Sequence, residues 1–228
     1  MREATGEEAR EEVTDDRLVL GEDITKGAEF SHLPRNRAAD NNKQAILDAL
    51  HSLGLSNRRV FEIGSGTGQH GIHFCQHLPT LRWQPSEVKD NLTLLQAWLG
   101  VARDEGVFGI NQAVEFDLNE PQWPNFSFDT LYSANVLHII NREQAQRMIE
   151  VGAYKLARGE LFVAYGPFKR DGQFTTDSNR EFDQYLRGQG HGGLIDMETI
   201  QVWSENRLKL YQALDMPANN FLLVFEKA

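Results

Sequence analysis

The reading of this chain turns on Val60-Phe61-Glu62-Ile63-Gly64-Ser65-Gly66-Thr67-Gly68-Gln69-His70. An apolar run ends in an acid and then in glycines at alternate positions, the pattern of a strand that stops, turns sharply and feeds a helix. Glycine there lets a ligand approach the loop backbone with no side chain in the way. The spacing is G-x-G-x-G. The dinucleotide fingerprint is G-x-G-x-x-G and uses its third glycine to pack helix on strand around a pyrophosphate. Gln69 stands where that third glycine would be.

Outward from this loop, strands and helices alternate. Arg59 to Ile63 reads as the first strand and Gln69 to Leu78 as a helix burying Ile72, Phe74, Cys75 and Leu78. His70, His73 and His77 share its opposite side, read as a solvent-facing surface and not a metal site, because no acid or cysteine completes a shell. Leu81 to Glu87 is a second strand in which Pro85 argues for an edge or strand-end position. Glu87 follows Gly68 by nineteen residues, an offset that suits a carboxylate accepting hydrogen bonds from two vicinal ribose hydroxyls. After a helix over Asn91 to Ala102, Ala113 to Leu118 is a short third strand carrying Asp117 near its end. Phe128 to Ile140 is the fourth strand and its exit, which puts Asn135 and His138 outside the carboxyl end of the sheet, where ligands sit. Asn141 and Gln144 form a capping box for the next helix, with Gly152 as its break or end. Glu160 to Tyr165 is a fifth strand. A helix over Asp177 to Arg187 buries Phe182, Tyr185 and Leu186, and four glycines between Gly188 and Gly193 predict a mobile loop. A helix over Met197 to Glu205 leads to Leu208–Leu214 and Phe221–Phe225, close enough in sequence to pair as an antiparallel hairpin.

Upstream, Ile46, Leu47, Leu50 and Leu53 mark a helix over Asn41 to Leu53, preceded by a polar segment from Phe30 to Lys43. Ten acids against four bases lie between Met1 and Phe30, so residues 1–28 read as a flexible acidic arm and residues 29–228 as one domain. No basic stripe is present, which argues against a nucleic-acid partner. The single cysteine, Cys75, excludes an internal disulfide. No apolar run is long enough to span a bilayer, and the expected location is cytoplasmic.

Glu62-Ile63-Gly64-Ser65-Gly66-Thr67-Gly68 resembles the first motif of the class I S-adenosylmethionine-dependent methyltransferases. The resemblance implies an α/β, Rossmann-like fold with a seven-stranded, mostly parallel sheet in the order 3-2-1-4-5-7-6 and an antiparallel C-terminal hairpin. It also implies S-adenosylmethionine as cofactor, with Glu62 contacting the amino-acid end and Asp117 the adenine amino group. Glu62, Gly64, Ser65, Gly66, Thr67, Gly68, His70, Glu87, Asp117 and Asn135 are then the cofactor-binding candidates. A narrower likeness lies in Ala38-Ala39-Asp40-Asn41-Asn42-Lys43, Trp83-Gln84-Pro85-Ser86, Tyr165-Gly166-Pro167-Phe168, Ser178-Asn179, Phe182-Asp183 and Met216-Pro217-Ala218-Asn219-Asn220. These segments are similar to those of the bacterial DUF938 proteins and their animal relatives called methyltransferase-like 26, a family that implies a methyltransferase without an assigned substrate. Glu87 stands where that family is expected to carry Asp, and His191 to Asp196 matches it only loosely.

The expected activity is in-line methyl transfer to a small-molecule acceptor. His138 is the candidate general base, Asn135 and Tyr165 are its companions, and Arg35, Asn42, Lys43, Asn219 and Asn220 are acceptor-side candidates. The alternatives are a non-catalytic protein binding S-adenosylmethionine or S-adenosylhomocysteine, and a nicotinamide-dependent oxidoreductase, which the glycine spacing and the hairpin disfavour.

Overall fold

The computed structural model describes residues 24–26, as backbone, and 33–228. Most of the expected acidic arm therefore lies outside the described residues. Strand β1 (Ile24–Lys26) pairs antiparallel with β2 (Pro34–Asn36), and β2 runs straight into α1 (Arg37–Ser52). Then follow β3 (Arg59–Ile63), α2 (Gln69–His77), β4 (Arg82–Glu87), α3 (Lys89–Asp104), β5 (Val114–Glu115), β6 (Thr130–Ala134), α4 (Arg142–Lys155) and β7 (Leu161–Gly166). The chain ends with the small hairpin β8 (Lys169–Arg170) and β9 (Gln173–Phe174), α5 (Asp177–Gly188), α6 (Met197–Trp203), β10 (Leu208–Met216) and β11 (Asn220–Lys227).

Seven strands form one sheet in the order β10-β11-β7-β6-β3-β4-β5. Counted along the chain this is the 3-2-1-4-5-7-6 order, with β11 antiparallel to β7 and to β10 and the other pairs parallel. Both faces are covered, so the central strands are buried almost throughout, with apolar side chains dominating and Glu62, Ser86, Thr130 and Ser133 among the buried polar ones. Val60, Trp83, Tyr132, Val163 and Leu222 pack under α1, α2 and α3, while Phe61, Leu131, Phe162, Leu223 and Phe225 pack under α4 and α6.

Several elements differ from the sequence reading. Helix α1 begins at Arg37, not Asn41, because the Asn36 side chain caps it by accepting from the Ala39 N–H. The second half of the polar lead-in, Arg37 to Lys43, is therefore helix. The third strand is reduced to two residues, and Phe116 extends it only through its N–H to the Glu87 carbonyl. Pro85 is interior to β4. The ladder toward the outer neighbour is broken there, bridging at Trp83–Ile110 and resuming at Ser86–Val114, and the Gln84 amide donates to the Gln112 carbonyl across the gap. Gly152 lies inside α4, not at its end, where an added Cβ would meet Leu131 Cδ1 at 3.0 Å. Tyr185 is exposed. The glycine-rich loop after α5 is docked: Gly193 N–H bonds the His138 carbonyl, and Leu194 N–H bonds Asp183 Oδ1 at 2.7 Å. The histidine face of α2 is partly covered by α1, so His70 is buried against Asn42 and His73 meets Gln44. Among the described residues no helix is long and apolar enough to cross a membrane.

Candidate functional site

The carboxyl ends of β3, β4, β5, β6 and β7 open into one cavity of about 410 Å³, roofed by Asn36, Ala38, Ala39, Asn41 and Asn42 of the β2–α1 corner. Its floor is the glycine loop. Ser65 N–H bonds the Ser86 carbonyl and Ser65 Oγ accepts from Ser86 N–H, so the loop is tied to the next strand at its first turn. The three glycines serve different needs. A Cβ at Gly64 would lie 2.6 Å from Val136 Cγ2 and one at Gly68 2.7 Å from Leu95 Cδ1, so packing excludes a side chain at both. At Gly66, with φ +55, an added Cβ meets nothing within 4 Å, and this residue lines the cavity. The positive φ favours glycine there, and the bare backbone leaves this part of the cavity wall open.

Glu87 is buried at the cavity wall, with Oε1 accepting from Gly66 N–H at 2.9 Å and Oε2 from Val88 N–H at 2.7 Å and the Asn91 amide at 3.3 Å. Asp117 is exposed at the far end, its Oδ1 holding the Asn119 N–H and amide. Glu62 does not reach the cavity. Its Oε2 accepts from Trp83 Nε1 at 2.8 Å, and burial pushes its carboxyl up to about 7 against the hydrogen bonds from Trp83 and Ser65. Gly68 is likewise behind the wall, as the positive-φ cap of α2.

The β6–β7 end is different in kind. Asn135, at φ +57, makes the turn out of β6 and bonds its N–H to the Tyr165 carbonyl, which swings the next turn over the strand ends. His138 sits on that turn, buried, with its ring edge against Phe182 and its Nδ1 over Gly166. Its ring nitrogens make no hydrogen bond among the described residues, and burial, aided by His191, holds its pKa at about 3. Tyr165 faces the same space; burial pushes its hydroxyl up to about 12 despite hydrogen bonds from Asn42 and Asn220. The Asn42 amide oxygen only accepts, so the 2.6 Å contact from His70 places that ring's proton on Nε2. Burial, then the neighbouring His73 and Lys43 charges, lower His70 to about 3.

Twelve of the candidates drawn from the sequence thus meet in one cavity: Asn42, Gly64, Ser65, Gly66, Thr67, His70, Glu87, Asp117, Asn135, His138, Tyr165 and Asn220. Arg35, Lys43 and Asn219 do not reach it. Arg35 makes a two-pronged bond to Asp40, Lys43 reaches the same carboxylate at 2.8 Å, and Asn219, at φ +55, gives its carbonyl to Asn179. Burial works against the Asp40 charge, yet the Arg35 and Lys43 bonds hold its pKa at about 2.

Residues 34–227 match the family described as "Protein of unknown function (DUF938)". The chain belongs to that family. The fold of this DUF938 chain is shared by solved methyltransferases at low identity. It is similar to the mitomycin 7-O-methyltransferase MmcR (TM-score 0.70, 15% identity, 84% of this chain and 56% of that one). Human N-acetylserotonin methyltransferase, solved in complex with SAM, gives a TM-score of 0.68 at 14% identity over 84% of this chain and 53% of its own. The pyocyanin biosynthetic protein PhzM gives 0.68 at 15% over 84% and 57%. The DUF938 chain spans little more than half the length of these proteins.

Tertiary structure adds residues to the cavity of the DUF938 chain that the sequence reading passed over. Asn91 could have been found one helical turn after Glu87, whereas Phe182 read only as the buried face of α5. Asn179, fully buried, joins α5 to the hairpin turn by donating to the Thr175 hydroxyl and the Asn219 carbonyl. Asp183 joins the same helix to the glycine-rich loop.

Proposed function

We propose that this chain is an S-adenosylmethionine-dependent methyltransferase acting on a small molecule, with residues 29–228 as its catalytic domain. The observation that carries the reading is a single cavity whose two ends differ. One end joins the open backbone at Gly66 to the Glu87 and Asp117 carboxylates; the other holds a buried histidine whose ring nitrogens make no hydrogen bond among the described residues. S-adenosylmethionine, when bound, supplies an electrophilic methyl group on a sulfonium. Gly64 to Thr67 would lie under its amino-acid part, Glu87 would accept from ribose hydroxyls, and Asp117 with Phe116 would border the base. The space left open at Gly66 fits such a group. His138, neutral in its buried setting, accepts a hydrogen bond from the acceptor and takes its proton as the new bond to the methyl carbon makes that proton strongly acidic, while Asn135 and Tyr165 orient the acceptor and the β2–α1 roof limits water.

Thermal unfolding with S-adenosylmethionine, S-adenosylhomocysteine and NAD tests the assignment. A ligand at 100 times its Kd adds roughly 2.7 kcal/mol to native stability. Stabilisation by the two adenosyl compounds and not by NAD is expected. Stabilisation by NAD alone, or by none of the three, would overturn the reading.

A further inference from the structure

Charge is distributed unevenly along the cavity wall. Strand order sets the axis: Asp117 follows β5, Glu87 ends β4, the glycine loop follows β3, His138 sits on the turn after β6 and Tyr165 near the end of β7, with Asn220 opening β11. Among the described residues every charged side chain on the wall, Glu87 and Asp117, lies at the β4–β5 end. The β6–β7–β11 end is lined by His138, Tyr165, Asn42, Asn220, Phe182 and Pro167, none of them a carboxylate, an ammonium or a guanidinium. The two nearby cations of the roof, Arg35 and Lys43, are both committed to Asp40.

From this we infer that the acceptor is an uncharged small molecule carrying a hydroxyl, bound with that hydroxyl toward His138. The inference rests on the methyltransferase reading. A carboxylate or phosphate entering this end would lose water with no cation among the described residues to meet it, and an ammonium would find no acid among them, so each would bind more weakly than a neutral compound. A neutral hydroxyl meets the free ring nitrogen as acceptor and, as donor, the Tyr165 hydroxyl, whose oxygen accepts from the Asn42 and Asn220 amides. In the transfer the hydroxyl oxygen bonds the methyl carbon as the carbon–sulfur bond breaks. That bond's electron pair stays on sulfur, and the hydroxyl proton passes to His138 and then to water. A wall that keeps its titratable groups neutral suits a weakly acidic hydroxyl on a flat ring beside Phe182.

Three compounds with one hydroxyphenyl group and different charge test this: 4-hydroxybenzamide, 4-hydroxybenzoate and tyramine, titrated by calorimetry into the full chain saturated with S-adenosylhomocysteine at pH 7. The amide is expected to bind at least tenfold tighter than either charged compound. Asn220→Asp is expected to shift the preference toward tyramine about tenfold, a change that mere loosening of the hairpin would not give. Equal or tighter binding of a charged compound to the wild type, binding of none of the three at 10 mM, or an unchanged order in Asn220→Asp would overturn the inference. If S-adenosylhomocysteine itself fails to bind, it is the underlying methyltransferase reading that falls.

Discussion

Gly66 and its two neighbours in the motif look equivalent in sequence and are not equivalent in space. Gly64 and Gly68 are pressed by Val136 and Leu95, so Gly64→Ala and Gly68→Ala are expected to lower the thermal midpoint of the ligand-free protein. Gly66 is pressed by nothing. Gly66→Val strains a positive φ by about 1–2 kcal/mol but leaves the packing intact. Calorimetry is expected to show at least 100-fold weaker S-adenosylhomocysteine binding in a protein that still unfolds cooperatively; unchanged affinity would remove the loop from the site. Asp40 shows the complementary lesson. In sequence Arg35 and Lys43 offer two cations to an acceptor, and only the fold reveals the carboxylate that occupies both.

Gln69 works at the scale of elements. Its side-chain oxygen accepts from Asn36 N–H at 2.6 Å and from the Thr67 hydroxyl at 2.7 Å, and its amide donates to the Asn36 carbonyl. One side chain thus fastens β2 and the start of α1 to the glycine loop, while Trp98 Nε1 secures Pro34 from α3. Gln69→Ala leaves the Asn36 N–H without its partner and is expected to cost about 1–3 kcal/mol. Hydrogen exchange at the Asn36 amide should accelerate in the variant, with exchange in β3 changing only by the global loss; an unaffected Asn36 amide would show that the roof is held elsewhere. The elements themselves were largely legible. β3, α2 and the terminal hairpin follow from apolar periodicity and turn residues close in sequence. The start of α1 was not, because its cap is a single asparagine in a polar run; β5 was found between Ala113 and Leu118, but its two-residue length was not, because so short a strand has no period to read.

Across the whole molecule, buried ionisable groups set a pH dependence of stability. His70 and His138 fall from 6.5 to about 3 on folding, so the unfolded chain binds protons that the native state refuses. Their contribution is complete above about pH 6.5 and is lost as pH falls toward 3. Glu62 has the opposite sign: raised from 4.5 to about 7, it keeps a proton in the native state, and its contribution is lost as pH rises through that window. Urea unfolding at pH 5, 6 and 7 should therefore show His138→Gln flattening the acid-side decline by up to ~1.4 kcal/mol per pH unit, one proton's worth. Glu62→Gln should steepen it by a similar amount, and parallel curves for all three proteins would show that these groups titrate alike in both states.

The sequence by itself determined the alternation of strands and helices, the terminal hairpin and the position of the glycine loop, because periodicity, glycine spacing and turn residues act over a few residues, while the order of the strands came with the family resemblance. It placed Glu87, Asn135, His138 and Tyr165 at strand ends, where the fold delivers them to one cavity. Which groups actually face that cavity was decided only by tertiary structure. Glu62 turns to Trp83, Arg35 and Lys43 turn to Asp40, and Phe182 arrives from a helix more than forty residues beyond His138. The physical reason is that a side chain's direction depends on the partners that neutralise its charge or satisfy its hydrogen bonds, and those partners come from parts of the chain that only folding brings near.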